Sequence, residues 1–324
     1  MNLDSSQLRR AISYPIVGPA IRRVLRTTSR YLKLPPDLEV FLNVGARPSY
    51  SYCVYHAAEL ARRLKINSLS VLEFGLAGGN GLIFLEEFAK RVELALGVHI
   101  EVYGFDTGAG LPEVTVPEDL PYWFQASQYK MNVKALQAAC GSAKLVLGNV
   151  KHTVGDFFLK YNPAPVGAIF NDLDLYSSTT DSLALFDSTP SHFLPRVFCY
   201  FDDVIGTECE MYSDCNGQLL ALSDFNRRHS DVYIGLNRNL LVRNDLNYRY
   251  QIYYAHLTTH PLYRAYVGAS EQARIEADLT LQRIAGDTAH VGATKGRAQR
   301  PSVSLDDLDA PNGFSVEAAA IKRR

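Results

Sequence analysis

An open α/β fold is what this sequence predicts: a mostly parallel central sheet, a terminal antiparallel strand pair and helices on both faces. Three observations predict it. Residues 71–106 run through an apolar strand, a glycine-rich turn, an amphipathic helix and a second apolar strand that ends in an acid. Two later apolar runs, 166–170 and 196–201, each stop at a set of aspartates. The last patterned stretches, 232–242 and 248–257, alternate apolar and aromatic residues in the manner of paired strands.

The first unit carries most of the information. Val71, Leu72, Glu73 and Phe74 form a short run of the buried parallel-strand type. The turn from Gly75 to Gly81 holds too much glycine to sit inside a helix or strand. From Leu82 to Val92 apolar residues recur at helical spacing, with Glu86, Glu87, Lys90 and Arg91 on the opposite side. Residues 100–105 make the second strand, and Asp106 stands at its carboxyl end, where open α/β sheets bind ligands.

Before this unit, residues 51–64 predict a helix whose Tyr50, Tyr52, Tyr55 and His56 read as core in preference to a pocket mouth. After it, a proline- and aromatic-rich loop reaches Trp123 and Phe124 and is placed to cover a site. Helices are expected at 131–140, 153–161, 180–186 and 218–228, and a third strand at 144–147.

Three parts are expected: a basic, helical amino-terminal extension (1–50), one α/β domain (51–285) and a disordered tail (286–324) poor in periodicity. Its first 35 residues carry Arg9, Arg10, Arg22, Arg23, Arg26, Arg30 and Lys33 against Asp4 alone. The extension suits packing on the domain or on a second copy better than lying on anionic lipid, because Pro15, Gly18 and Pro19 interrupt an amphipathic face. A net charge of −1 argues against nucleic acid as partner, and no apolar run is long enough to cross a bilayer. Five cysteines without a C-x-x-C pair read as reduced thiols of a cytoplasmic protein.

The turn also discriminates between ligands. The dinucleotide fingerprint G-x-G-x-x-G fails at its third glycine, where Asn80 stands. Without a pyrophosphate to bind, the turn need only bring backbone close to its ligand. The spacing of Glu73, Gly75, Ala77 and Gly79 is similar to the first motif of class I S-adenosylmethionine methyltransferases, in which a nearby acid suits the ammonium group and Asp106 suits the ribose hydroxyls. The acids at the later strand ends point to a metal. Asp172, Asp202 and Asp203 brought to one sheet edge would repel one another, and a hard divalent cation such as Mg²⁺ relieves this. Asp174 reads instead as the cap of the following helix.

With these residues in hand, positions 51–259 resemble the macrocin O-methyltransferase family of Rossmann-like class I enzymes. Phe105-Asp106-Thr107 leading to Gly110-Leu111-Pro112 is similar to the family's Asp-Ser/Thr-Phe-Glu-Gly-Leu-Pro loop, and Gly148-Asn149 matches its third-strand segment. The run from Asp172 to Thr179 resembles Asp-Gly-Asp-Leu-Tyr-Glu-Ser-Thr, and Asp202-Asp203 its acid pair. The resemblance implies adenosylmethionine bordered by Glu73, Gly75, Ala77, Gly79, Asp106, Thr107 and Asn149, with Mg²⁺ on Asp172, Asp202 and Asp203. Leu173 and Ser177 depart from the pattern, as does Gly108-Ala109 in the loop. The expected reaction is methyl transfer to a hydroxyl of a sugar-containing or other small acceptor, with Asp172, His256 or His260 as the base. A competing reading keeps the fold as a non-catalytic scaffold.

Overall fold

The strand β1 (Ser68–Phe74) lies inside the sheet and is buried from Leu69 onward, with Leu69, Val71, Leu72 and Phe74 sent to the core on its two faces. The computed structural model that shows this describes residues 34–269, together with Val24, Thr27, Gln272, Ala273, Ile275 and Glu276. The readings of residues 1–33 and of the tail 286–324 fall almost wholly outside the described residues. Two units are distinguished, 1–267 and 268–324, and the fold below is that of the first.

Two helices precede β1. α1 (Pro36–Leu42) and α2 (Pro48–Arg63) both begin with proline, whose missing N–H is no loss in a first turn. Then follow α3 (Asn80–Leu96), β2 (His99–Asp106), α4 (Val133–Ala139), β3 (Lys144–Leu147), α5 (Val150–Tyr161) and β4 (Val166–Asn171). α6 (Tyr176–Leu183), β5 (Phe193–Phe201), α7 (Gly217–Arg228), β6 (Val232–Leu236), the short α8 (Arg238–Leu241) and β7 (Ile252–Leu257) complete it.

The strands order as β3-β2-β1-β4-β5-β7-β6. The first five are parallel, and β7 runs antiparallel to both β5 and β6. This is an open, doubly wound arrangement, with the order reversing between β1 and β4. Alternation along the strands sorts the core. Leu69 and Val71 face α2 and α3, in one cluster with Val54, Leu85 and Phe88. Leu72 and Phe74 face the other way, in a cluster with Phe157 of α5 and Phe225 of α7.

Several boundaries differ from the sequence expectation because a polar side chain sets where a helix starts or a strand ends. Asn132 accepts from Ala135 N, Asn149 from Lys151 N and Asn237 from Asn239 N. The last of these stops β6 at Leu236 and turns the expected second half of that strand into α8. The compact unit reaches back to include α1, whose Leu38 and Leu42 are buried, and the domain start expected at 51 falls inside α2. Among the described residues no helix is long and apolar enough to cross a membrane, and all five cysteines are unpaired.

Candidate active site

β1, β2, β4 and β5 end at the same edge of the sheet, and the cleft lies over those ends, where the strand order reverses. It encloses about 370 Å³, within the ordinary size of a small-molecule site. Gly75 leads out of β1 at φ +83°, and a Cβ there would stand 1.7 Å from the carbonyl oxygen of Asp172. No side chain fits between the turn and β4, which is the physical reason for glycine. Ala77 follows in the left-handed region at φ +44°.

Asp106 fastens this turn to the end of β2. Its Oδ2 accepts from the Leu76 and Ala77 amides at 2.8 and 3.3 Å, and its Oδ1 from the Gly108 amide at 2.6 Å. Gly75, Ala77, Asp106, Thr107 and Asn149 all line the cleft. Glu73 and Gly79 do not. Glu73 lies under the helix start, where a Cβ on Gly81 would meet its Oε1 at 1.9 Å. It is 2 % exposed, accepts from the Tyr50 hydroxyl at 3.0 Å through Oε1, and has no partner at Oε2. Burial drives its pKa up to about 8, although the Tyr50 bond opposes the rise.

β4 and β5 pair in register up to Asn171 and Phe201, so Asp172 leaves the sheet beside Asp202. One oxygen each from Asp172, Asp202 and Asp203 lies within 4.8 Å of the others. Neighbouring groups hold them there. Gln251 donates to Asp202 Oδ1 at 3.3 Å and to its carbonyl at 2.9 Å, and the Tyr200 hydroxyl donates to the same carboxylate. The Asp174 amide donates to Asp203 Oδ2 at 2.9 Å, and Tyr212 to Oδ1 at 3.4 Å. The Asp203 amide in turn donates to Gln218 Oε1 at 3.0 Å.

Burial and then the charge of Asp202 push Asp172 up to about 8 and Asp174 up to about 7. Burial, followed by the charges of Asp174, Asp172 and Asp202, pushes Asp203 well above the carboxylate range. Glu210 also lines the cleft, and no lysine, arginine or histidine does. A donor set made only of carboxylate oxygens, crowded and without a cation of its own, fits a hard divalent ion such as Mg²⁺.

Three sequence expectations are corrected here. Asp174 does not cap α6: the cap position is Leu175, with no side-chain bond, and Asp174, at φ +60°, lines the cleft. His256 pairs across β7 with Arg196, near the start of β5, whereas the acids follow its end. Six residues of strand, on the order of 20 Å, separate those positions. His260 lies beyond His256 along the chain, against the Phe193 backbone. Because β7 is antiparallel, its carboxyl end is at the far edge of the sheet, and neither histidine can serve this cleft. The same reversal brings Gln251, which precedes β7, to the acids. Following strand direction would have found it from the sequence.

The loop 107–132 covers the cleft as expected. Leu111 and Gln128 hold its two limbs together at 2.9 Å, and Leu120 and Phe124 pack against Leu175. Asp119, fully buried in this loop, accepts from the amide and hydroxyl of Ser177 at 2.7 and 2.9 Å. A distant loop thus supplies the acid that the first turn of α6 lacks. The opposite wall is the loop 205–216, joined to the first by Tyr122 donating to the Glu210 carbonyl at 3.0 Å.

No family model and no curated protein matches this chain. Among solved structures it is similar to the calicheamicin methyltransferase CalS11, at 17% identity and a TM-score of 0.43, over 79% of this chain and 98% of that one. It is also similar to the O-methyltransferase NovP, at 13% identity and a TM-score of 0.46, over 79% and 100%. A third is MycE from the mycinamycin pathway, solved with Mg, SAH and mycinamycin VI, at 11% identity and a TM-score of 0.37, over 79% and 63%.

Proposed function

We propose that this protein is an S-adenosylmethionine-dependent O-methyltransferase that acts, with a divalent cation, on a hydroxyl of a small-molecule acceptor. The observation that carries the reading is the meeting of Asp172, Asp202 and Asp203 in the cleft that Gly75, Ala77 and Asp106 border. Adenosylmethionine supplies an activated methyl group on a sulfonium. Mg²⁺ held by the three aspartates supplies a Lewis acid that lowers the pKa of a hydroxyl.

The chain's own contribution is to align and to receive a proton. Gly75, Ala77, Thr107 and Asn149 form the wall against which the cofactor lies, and orientation of this kind can contribute ~7–11 kcal/mol. Asp174 is the base. Its carboxylate lines the cleft beside the three ligands, and its amide is already used on Asp203. The loops 107–132 and 205–216 contribute Leu111, Pro112, Tyr129 and Glu210 to the walls of the cleft beside the acids.

Calorimetry with S-adenosylhomocysteine, with and without Mg²⁺, tests the assignment against a scaffold role. Binding strengthened by the metal is expected, and no binding in either condition refutes it. In a transfer assay with labelled adenosylmethionine and a panel of sugars, glycosides and phenols, Asp174→Asn should lower kcat by about 10²–10⁴. S-adenosylhomocysteine binding should survive that change.

A further inference from the structure

Adenosylmethionine ends in an amino acid, so its pocket must meet a carboxylate as well as an ammonium. The acids around the cleft answer the second need, but no basic side chain lines the cleft to answer the first. The described residues offer a basic group beside it.

Arg47 closes the loop between α1 and α2 and occupies the cap position of α2. The first turn of that helix stands at the edge of the sheet where β1 ends, because Tyr50 within it donates to Glu73 at 3.0 Å. The Arg47 guanidinium lies over the Tyr50 ring, 4.9 Å from its centre. It makes no hydrogen bond or ion pair with a described residue, although it is half-buried. Five donors left unused at such a place are a group awaiting a planar acceptor.

The loop that carries Arg47 is fixed. Glu39 of α1, itself buried, accepts from Arg91 of α3 at 2.5 Å and from Ser51 of α2 at 3.4 Å. Arg91 also holds the Leu34 carbonyl at 2.7 Å.

A second observation is independent of Arg47. Glu73, which Tyr50 contacts, has an oxygen that is buried and unpartnered. An acid with one oxygen unpartnered and a base with its donors unused thus touch the one tyrosine. Arg47 is also close enough for its charge to oppose the pKa rise of Glu73 and Asp172. We infer that Arg47 receives the carboxylate of the cofactor's amino-acid end, on the side of Tyr50 away from Glu73. This deepens the assignment above and rests on it.

The test compares two nucleosides on the full chain by calorimetry. S-adenosylhomocysteine carries the amino-acid end, and 5′-methylthioadenosine lacks it. Arg47→Gln should weaken the first by about ten- to hundred-fold, the loss expected for a charge-assisted bond, and leave the second within two-fold. Arg47→Lys, which keeps the charge without the fork, should fall between. Unchanged methylthioadenosine affinity reports an intact fold in each variant. Equal weakening of both nucleosides, or of neither, overturns the role of Arg47. If the unaltered protein binds neither, the cofactor assignment itself fails and the inference falls with it.

Discussion

Asp203→Asn should make the protein more stable without metal and less stable with it. The three aspartates present oxygens within 4.8 Å of one another, and at an effective dielectric of 20 each ionised pair at that distance repels by about 3.5 kcal/mol. Asp203 belongs to two of the three pairs, so full ionisation would cost it ~7 kcal/mol. Partial protonation already relieves part of this, because burial and the neighbouring charges raise the pKa of Asp203 as well as that of Asp172, and a gain of about 2–4 kcal/mol at pH 8 is the expectation.

Asparagine keeps the geometry. Its oxygen still accepts from the Asp174 amide, and its amide can donate to the Tyr212 hydroxyl that now bonds Oδ1. At roughly 2–4 °C per kcal/mol for a domain of this size, Tm in EDTA should rise by about 5–10 °C. Added Mg²⁺ should raise the unaltered protein by more than this and leave the variant where it was. Thermal unfolding at pH 8 in the two buffers therefore gives two curves that exchange order. Were the variant less stable in EDTA, or were Mg²⁺ to stabilise both equally, the three carboxylates would not share an ion.

Two further outcomes are open to measurement. Glu86 is nearly buried and accepts from Lys90, from the Gly141 and Ser142 amides and from the Ser142 hydroxyl, tying α3 to the segment before β3. Burial raises its pKa, but these bonds outweigh it and bring the value down to about 2 from 4.5. Its contribution is thus complete above pH 4.5 and lost as pH falls toward 2, and Glu86→Gln should cost about 1.5–3 kcal/mol in denaturant titration at pH 7 with a flatter acid limb. Ser177→Glu, which introduces the acid of the pattern that residues 172–179 resemble, places a second carboxylate against buried Asp119. It should destabilise by about 2–4 kcal/mol and free the loop 107–132 to limited proteolysis, and a protected loop would show that Asp119 does not anchor it.

The sheet and its acid edge were legible in the sequence because two periodicities and a run of strand-end acids agree on them. Val71 to Asp106 reads as one unit, and Asp172, Asp202 and Asp203 meet because β4 and β5 are adjacent and parallel, as supposed. The errors came where local pattern gives no direction. His256 looks well placed until β7 is known to run backwards. Asp174 looks like a cap because single aspartates before helices usually are, whereas the acid at that helix comes from Asp119, 58 residues earlier than Ser177. Arg47 lies outside every motif and is set over the Tyr50 ring by the packing of α1 and α2, which Glu39 and Arg91 tie to α3.

The close approach of Gly75 to the Asp172 carbonyl has a practical meaning for anyone who would redirect this protein to a new compound. The proposed cofactor shelf and ion seat share one seam of main chain, so residues 73–81 and 171–174 tolerate no independent tinkering. Diversity in a mutant library belongs in 107–132 and 205–216, whose side chains set the shape of the mouth while that seam stays untouched.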